Sequence, residues 1–146
     1  MKKLTLLAIS LAMLLVFVGC TKKEETQTEE ETAVTTVPVE VQGNYADDVA
    51  GRAMLVVSEN NIVCDWSSSA ATRSHFEIPV VYDAQTNTIK YDAAVLTEQT
   101  FNENGEIANS EEKYNNGTGY FEIVENKLIW HDDMSEGKET TTFVKY

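Results

Sequence analysis

The stretch that decides the fold runs Arg52-Ala53-Met54-Leu55-Val56-Val57-Ser58, then Glu59-Asn60-Asn61, then Ile62-Val63-Cys64-Asp65-Trp66-Ser67-Ser68-Ser69. Leu55 and Val57 alternate with their neighbours, and so do Ile62, Cys64 and Trp66 beyond the short Asn-rich turn. A period of two sends successive side chains to opposite faces of an extended strand. Asn-containing pairs between two such runs mark a hairpin. The stretch therefore predicts two antiparallel strands that share one apolar face.

Working outward, the same pattern recurs every eight to twelve residues. Val39 to Tyr45 precedes an Asp47-Asp48 turn that contains Gly51. His75 to Asp83 leads through Ala84-Gln85-Thr86-Asn87 into Thr88 to Phe101, a long extended run with a possible interruption near Ala93. Asn102-Glu103-Asn104-Gly105 precedes Glu106 to Tyr114, and Asn115-Asn116-Gly117 is read as a hairpin turn before Thr118 to Glu125. Lys127 to Asp132 and Lys138 to Tyr146 complete the series. No window carries a 3.6-residue apolar stripe, so no helix longer than a turn is expected. The expected fold is all-β: an antiparallel up-and-down meander that hides its edges by closing into a small eight- (or nine-) stranded barrel. Its inward faces are Leu55/Val57, Ile62/Cys64/Trp66, Phe76/Ile78/Val80/Tyr82, Ile89/Tyr91, Phe121/Ile123, Leu128/Trp130 and Phe143. Eight strands enclose just enough room for side chains or for one small ligand, and the number of bulky aromatics favours the filled version.

The N-terminus is of another kind. Met1-Lys2-Lys3 is basic, Leu4 to Val18 is apolar apart from Thr5 and Ser10, and the run ends at Val18-Gly19-Cys20. A basic start, a short apolar run and a small residue at the junction make a secretory signal. Fifteen residues fall short of the roughly 20 needed to span a bilayer. Gly19-Cys20 resembles the lipobox of bacterial lipoproteins, with Phe17 in place of the usual leucine. That resemblance implies a diacylglyceryl thioether on Cys20, which becomes the mature N-terminus. Thr21 to Val37 is rich in Glu and Thr and lacks aromatics, so it reads as an extended tether. The predicted organisation is thus a signal peptide over 1–19, an anchored Cys20 with an acidic tether over 20–38, and a barrel domain over 39–146.

Gly43-Asn44-Tyr45 is similar to the Gly-x-Trp signature of the calycins, with Tyr45 in the tryptophan position. A longer likeness, to small lipocalin-like lipoproteins and secreted domains of bacteria, spans most of 43–146. It is carried by Gly51-Arg52-Ala53, Trp66-Ser67-Ser68-Ser69-Ala70, Tyr82-Asp83, Thr86-Asn87, Gly117-Thr118-Gly119-Tyr120-Phe121 and Leu128-Ile129-Trp130. It implies a lipocalin-like barrel and assigns no activity.

Charge narrows the partners. The chain carries 24 Asp and Glu against 11 Lys and Arg. Removal of the signal takes Lys2 and Lys3, leaving 24 acidic against nine basic residues and a net charge of −15. Such a surface is wrong for nucleic acid or for anionic lipid, and it favours solubility and basic partners. With Cys20 used by the anchor, Cys64 has no disulfide partner and reads as a small core residue.

Few residues suggest chemistry. Ser67-Ser68-Ser69 with His75 has no Gly-x-Ser-x-Gly elbow and no evident acid to orient the base, so it reads as a hydroxyl-rich strand end. His131 and Asp133 make at most half a metal site, and the acidic turns lack EF-hand spacing. Neither metal nor cofactor is expected. Asn116-Gly117-Thr118 matches a glycosylation sequon but reads as part of the turn. The remaining signal is aromatic: Trp66, Tyr82, Tyr120 and Trp130, with Ser68 and Asp132 at strand ends, could line a barrel mouth that holds a small ligand.

The reading is a monomeric, membrane-anchored, non-enzymatic binding barrel outside the cell. The alternative is an inhibitor of a basic cell-wall hydrolase of the lysozyme kind, which acidic charge would steer. Cys20→Ala should leave an unprocessed precursor that incorporates no labelled fatty acid. Continued lipid labelling of that variant would refute the lipobox assignment.

Overall fold

The computed structural model describes residues 35–136 and 140–146, so the signal, Cys20 and nearly all of the tether lie outside the described residues. Nine strands follow in order: β1 (Gly43–Asp47), β2 (Ala53–Val57), β3 (Asn61–Ser69), β4 (Thr72–Pro79), β5 (Val81–Asp83), β6 (Thr88–Phe101), β7 (Ile107–Val124), β8 (Lys127–Asp132) and β9 (Thr140–Lys145). All pairings are antiparallel. Strands β1 to β4 form a meander, β4 pairs with β6, β6 to β9 continue the meander, and β9 returns to β1. The sheet is therefore a closed eight-stranded barrel with β5 as an extra strand alongside β6. This is the architecture that the likeness to lipocalin-like barrels implies.

The alternation that predicted the strands also fills the barrel. Leu55, Ile62, Cys64, Ile78, Ile89, Phe121, Leu128 and Phe143 are fully buried. At the centre stands Trp130, 4% exposed, with Phe76 edge-on at 5.1 Å, Phe121 stacked at 5.5 Å and Phe143 tilted at 6.2 Å. Offset and edge-to-face contacts of this kind add to the stabilisation from area burial alone. Cys64 is buried, and that burial pushes its thiol well above the usual range, as expected of a packing residue.

Four expected boundaries move, each for a physical reason. Asn115-Asn116-Gly117 is not a hairpin turn, because β7 runs unbroken through it. A Cβ on Gly117 would stand 2.7 Å from the Tyr114 ring and 3.0 Å from Ala94 Cβ, so this glycine permits close packing rather than chain reversal. His75 to Asp83 is not one strand. Pro79 has no N–H to give the ladder, and Val80 N instead donates to Asn60 O at 2.9 Å, separating β4 from β5. β4 begins at Thr72, ahead of the expected His75. Finally, Val39 to Val41 forms a turn closed by Val41 N donating to Pro38 O, so β1 starts only at Gly43.

The packed unit also takes in residues ahead of Val39. Thr35 bridges to Tyr82, Val37 N donates to Glu59 O at 2.8 Å, and Val37 is 1% exposed within the core. Val37 thus plugs the barrel end that carries the β2–β3 turn.

The opposite end bears a long ribbon. β7 pairs with β6 from Ile107 onward but with β8 only from Gly119, so the outer edge of 107–117 has no partner strand among the described residues. Glu98, Glu103, Glu106, Glu111 and Glu112 lie on this ribbon with a single cation, Lys113, which bridges Glu111 at 3.0 Å and Glu98 at 3.5 Å. Unpaired edges are commonly protected from self-association by charge in this way.

Trp130→Ala should destabilise the fold by about 3–5 kcal/mol, because it removes the ring that three others pack against. Chemical denaturation measures this, and a loss below about 1 kcal/mol would place Trp130 outside the cooperative core.

Candidate functional site

The sequence-predicted mouth residues do not converge on one site. Trp130 and Asp132 face inward and are linked through Tyr91. Trp130 Nε1 donates to Tyr91 Oη at 2.8 Å, and Tyr91 Oη donates to Asp132 Oδ1 at 3.2 Å. Asp132 Oδ1 also accepts from Met134 N at 3.1 Å. Burial pushes the Asp132 carboxyl above its usual range, against the lowering effect of these two donors. The chain of bonds satisfies the indole inside the core. Gly119 makes it possible, since a Cβ there would overlap the Tyr91 ring and the His131 carbonyl.

Tyr120 faces outward, 38% exposed, and stacks on His131 at 4.3 Å between ring centroids. Its neighbour Phe121 is in the core, so alternation leaves Tyr120 no other face. Tyr82 sits at the Val37 end, with its hydroxyl donating to Asn87 Oδ1 at 3.0 Å. Trp66 packs part-buried against the core beyond Cys64. Two of the six line cavities: Tyr120 lines one of about 440 Å³ together with Tyr91 and Gly119, and Ser68 lines another.

That cavity, of about 490 Å³, lies at the ribbon end of the barrel. Its wall is built from the end of β3, the residue ahead of β2, the start of β4 and the end of β6. Ser67, Ser68 and Ser69 all line it. In a regular strand, three consecutive side chains cannot share a face. Here the register shifts: Ser67 pairs with Arg73 and Ser69 with Thr72, leaving Ser68 as an extra residue. Such a bulge re-aims side chains and is common beside functional sites. Ser69 Oγ is engaged, lying 2.7 Å from Thr72 Oγ1 and accepting from Ala71 N at 3.1 Å.

Two cations complete the wall. Arg73 is held in place: its Nε and Nη2 donate to Gln99 Oε1 at 3.2 and 2.6 Å, and its Nη1 donates to Asp65 Oδ2 at 3.3 Å. Its guanidinium carbon stands 5.0 Å over the Phe101 ring, a cation–π contact. Arg52, which also lines the cavity, makes no ion pair among the described residues. Neither arginine nor Phe101 is marked as a site residue by the sequence, since they stand far apart in the chain. The pairings of β2 with β3, β3 with β4 and β4 with β6 bring them together.

Asp65 does more than hold Arg73. Its Oδ1 lies 2.6 Å from His75 Nδ1, so His75 does have an orienting acid, contrary to the expectation from sequence. Cross-strand pairing of Asp65 with His75 puts them together. The other ring nitrogen of His75 faces Glu77 Oε1 at 3.6 Å, a carboxylate rather than a hydroxyl nucleophile. Among the described residues no group of three or more His, Cys, Asp or Glu side chains is placed to hold a metal ion.

No protein-family model, curated protein or solved structure matches this chain.

Proposed function

We propose that this chain is a lipid-anchored, extracytoplasmic binding protein: a monomeric, non-enzymatic barrel that offers the Ser67–Ser69 cavity to a small ligand. The anchor rests on the Met1–Cys20 sequence, with its basic start, short apolar run and Gly19-Cys20 junction. One observation carries the binding role. A bulge turns three consecutive serines into a concave site that also collects two arginines and an aromatic ring. Concave sites with a few convergent polar groups are where barrels and other scaffolds hold small molecules. The filled core favours this peripheral site over the barrel interior.

A second reading, capture of a basic protein such as a cell-wall hydrolase, is favoured by the ribbon. Its β7 edge, without a partner strand among the described residues, carries Glu111 and Glu112 against Lys113, and Glu98, Glu103 and Glu106 make the ribbon net negative, which repels copies of itself and attracts a cationic strand.

Native mass spectrometry of the full chain, extracted from its own envelope in mild detergent, tests the first reading. The protein should carry a small-molecule adduct that Ser68→Trp abolishes by filling the cavity. Recovery of a basic protein that elutes with salt, with no adduct, would overturn the cavity reading in favour of the second.

A further inference from the structure

We infer that the ligand of the Ser67–Ser69 cavity is an oxyanion carried on a flat apolar group, such as an aryl carboxylate, sulfate or phosphate. The inference deepens the binding role proposed above and rests on it.

The charge of the site is out of keeping with the rest of the molecule. The chain has only two arginines among its 146 residues, and both line this one cavity. No Asp or Glu lines it, although the chain holds 24 of them. Asp65 touches Arg73 from outside the cavity wall and offsets one positive charge. Arg52 remains unbalanced, so the site keeps about one net positive charge in an acidic protein. Two guanidinium groups facing a common space repel each other, and an anion between them removes that repulsion.

The donor geometry suits an oxyanion. A guanidinium carries five N–H donors and no acceptor. Three of those on Arg73 are spent on Gln99 and Asp65, which leaves one on each Nη. Those bonds also fix the plane of the group, so little order is lost when a ligand arrives. Arg52, without an ion pair among the described residues, can offer its donors to carboxylate, sulfate or phosphate oxygens, which arginine binds in a fork geometry. Ser67 and Ser68 add hydroxyls that make no hydrogen bond to another side chain among the described residues. Phe101 lends an apolar wall on which a flat group can lie.

Titration calorimetry of the full chain with benzoate, phenyl phosphate and phenyl sulfate tests the inference, with benzyl alcohol and inorganic phosphate as controls. At least one aryl anion should bind, and each control should bind about tenfold more weakly or worse. Amide shifts on binding should centre on Ser67 to Ser69. Arg52→Gln, at an exposed residue with no ion pair among the described residues, should lower affinity about tenfold and leave the melting temperature unchanged. Equal binding of benzyl alcohol, or full affinity in Arg52→Gln, would overturn the anion assignment while leaving a cavity that binds neutral molecules. Amide shifts away from Ser67 to Ser69, or no binding by any aryl anion, would overturn it as well. An adduct removed by Ser68→Trp would still uphold the binding role in that case.

Discussion

Closure of the sheet is the constraint on which everything else depends. A meander of eight strands leaves two edges, and here they meet where β9 pairs with β1 through Tyr45–Lys145, Ala46–Val144 and Asp47–Phe143. The seam is short, so side chains must secure it. Tyr45 is buried beneath Lys145, whose Nζ lies 5.8 Å over the Tyr45 ring and donates to Glu40 O at 2.7 Å. At the other end of the seam, Asp47 accepts from the backbone N–H groups of Val49, Ala50, Gly51 and Ala53. Burial would raise its carboxyl, but these four bonds prevail and hold it down at about 2. The turn that carries the chain away from the seam is thereby fixed. Once the ring closes, alternation has one inside and one outside, and the aromatics around Trp130 have nowhere else to go.

The same closure explains where function can reside. The interior is occupied through its middle by Phe76, Phe121, Trp130 and Phe143, and Val37 covers one end. Space for a partner must then come from irregularities of the wall. The Ser67–Ser69 bulge is one, where an extra residue opens a cavity beside Arg52 and Arg73. The long β6–β7 ribbon is another, where the ladder to β8 stops at Gly119 and leaves a net acidic edge. Both arise from breaks in register rather than from the regular barrel.

This accounts for what the sequence did and did not disclose. Strand faces were legible because burial follows a period of two: Leu55, Val57, Ile62, Cys64, Phe76, Ile78, Ile89 and Tyr91 all point inward as that period requires. Asn115-Asn116-Gly117 misled, because the composition of a hairpin turn and that of a strand needing a side-chain-free position are the same three letters. Of the mouth residues, Ser68 lines the cavity, whereas Tyr120 and Tyr82 lie on different faces or ends. The arginines escaped notice because Arg52 and Arg73 meet across two strand pairings, and cross-strand register is not written in any local pattern.

Native-state amide hydrogen exchange at the β1–β9 seam tests the account most directly. If closure holds the fold together, Tyr45, Ala46, Phe143 and Val144 should exchange only through global unfolding, with the same protection as Ile62 and Cys64 in β3. Seam amides that exchange far faster than those of β3 would show a sheet that opens independently of its core, and would contradict the account.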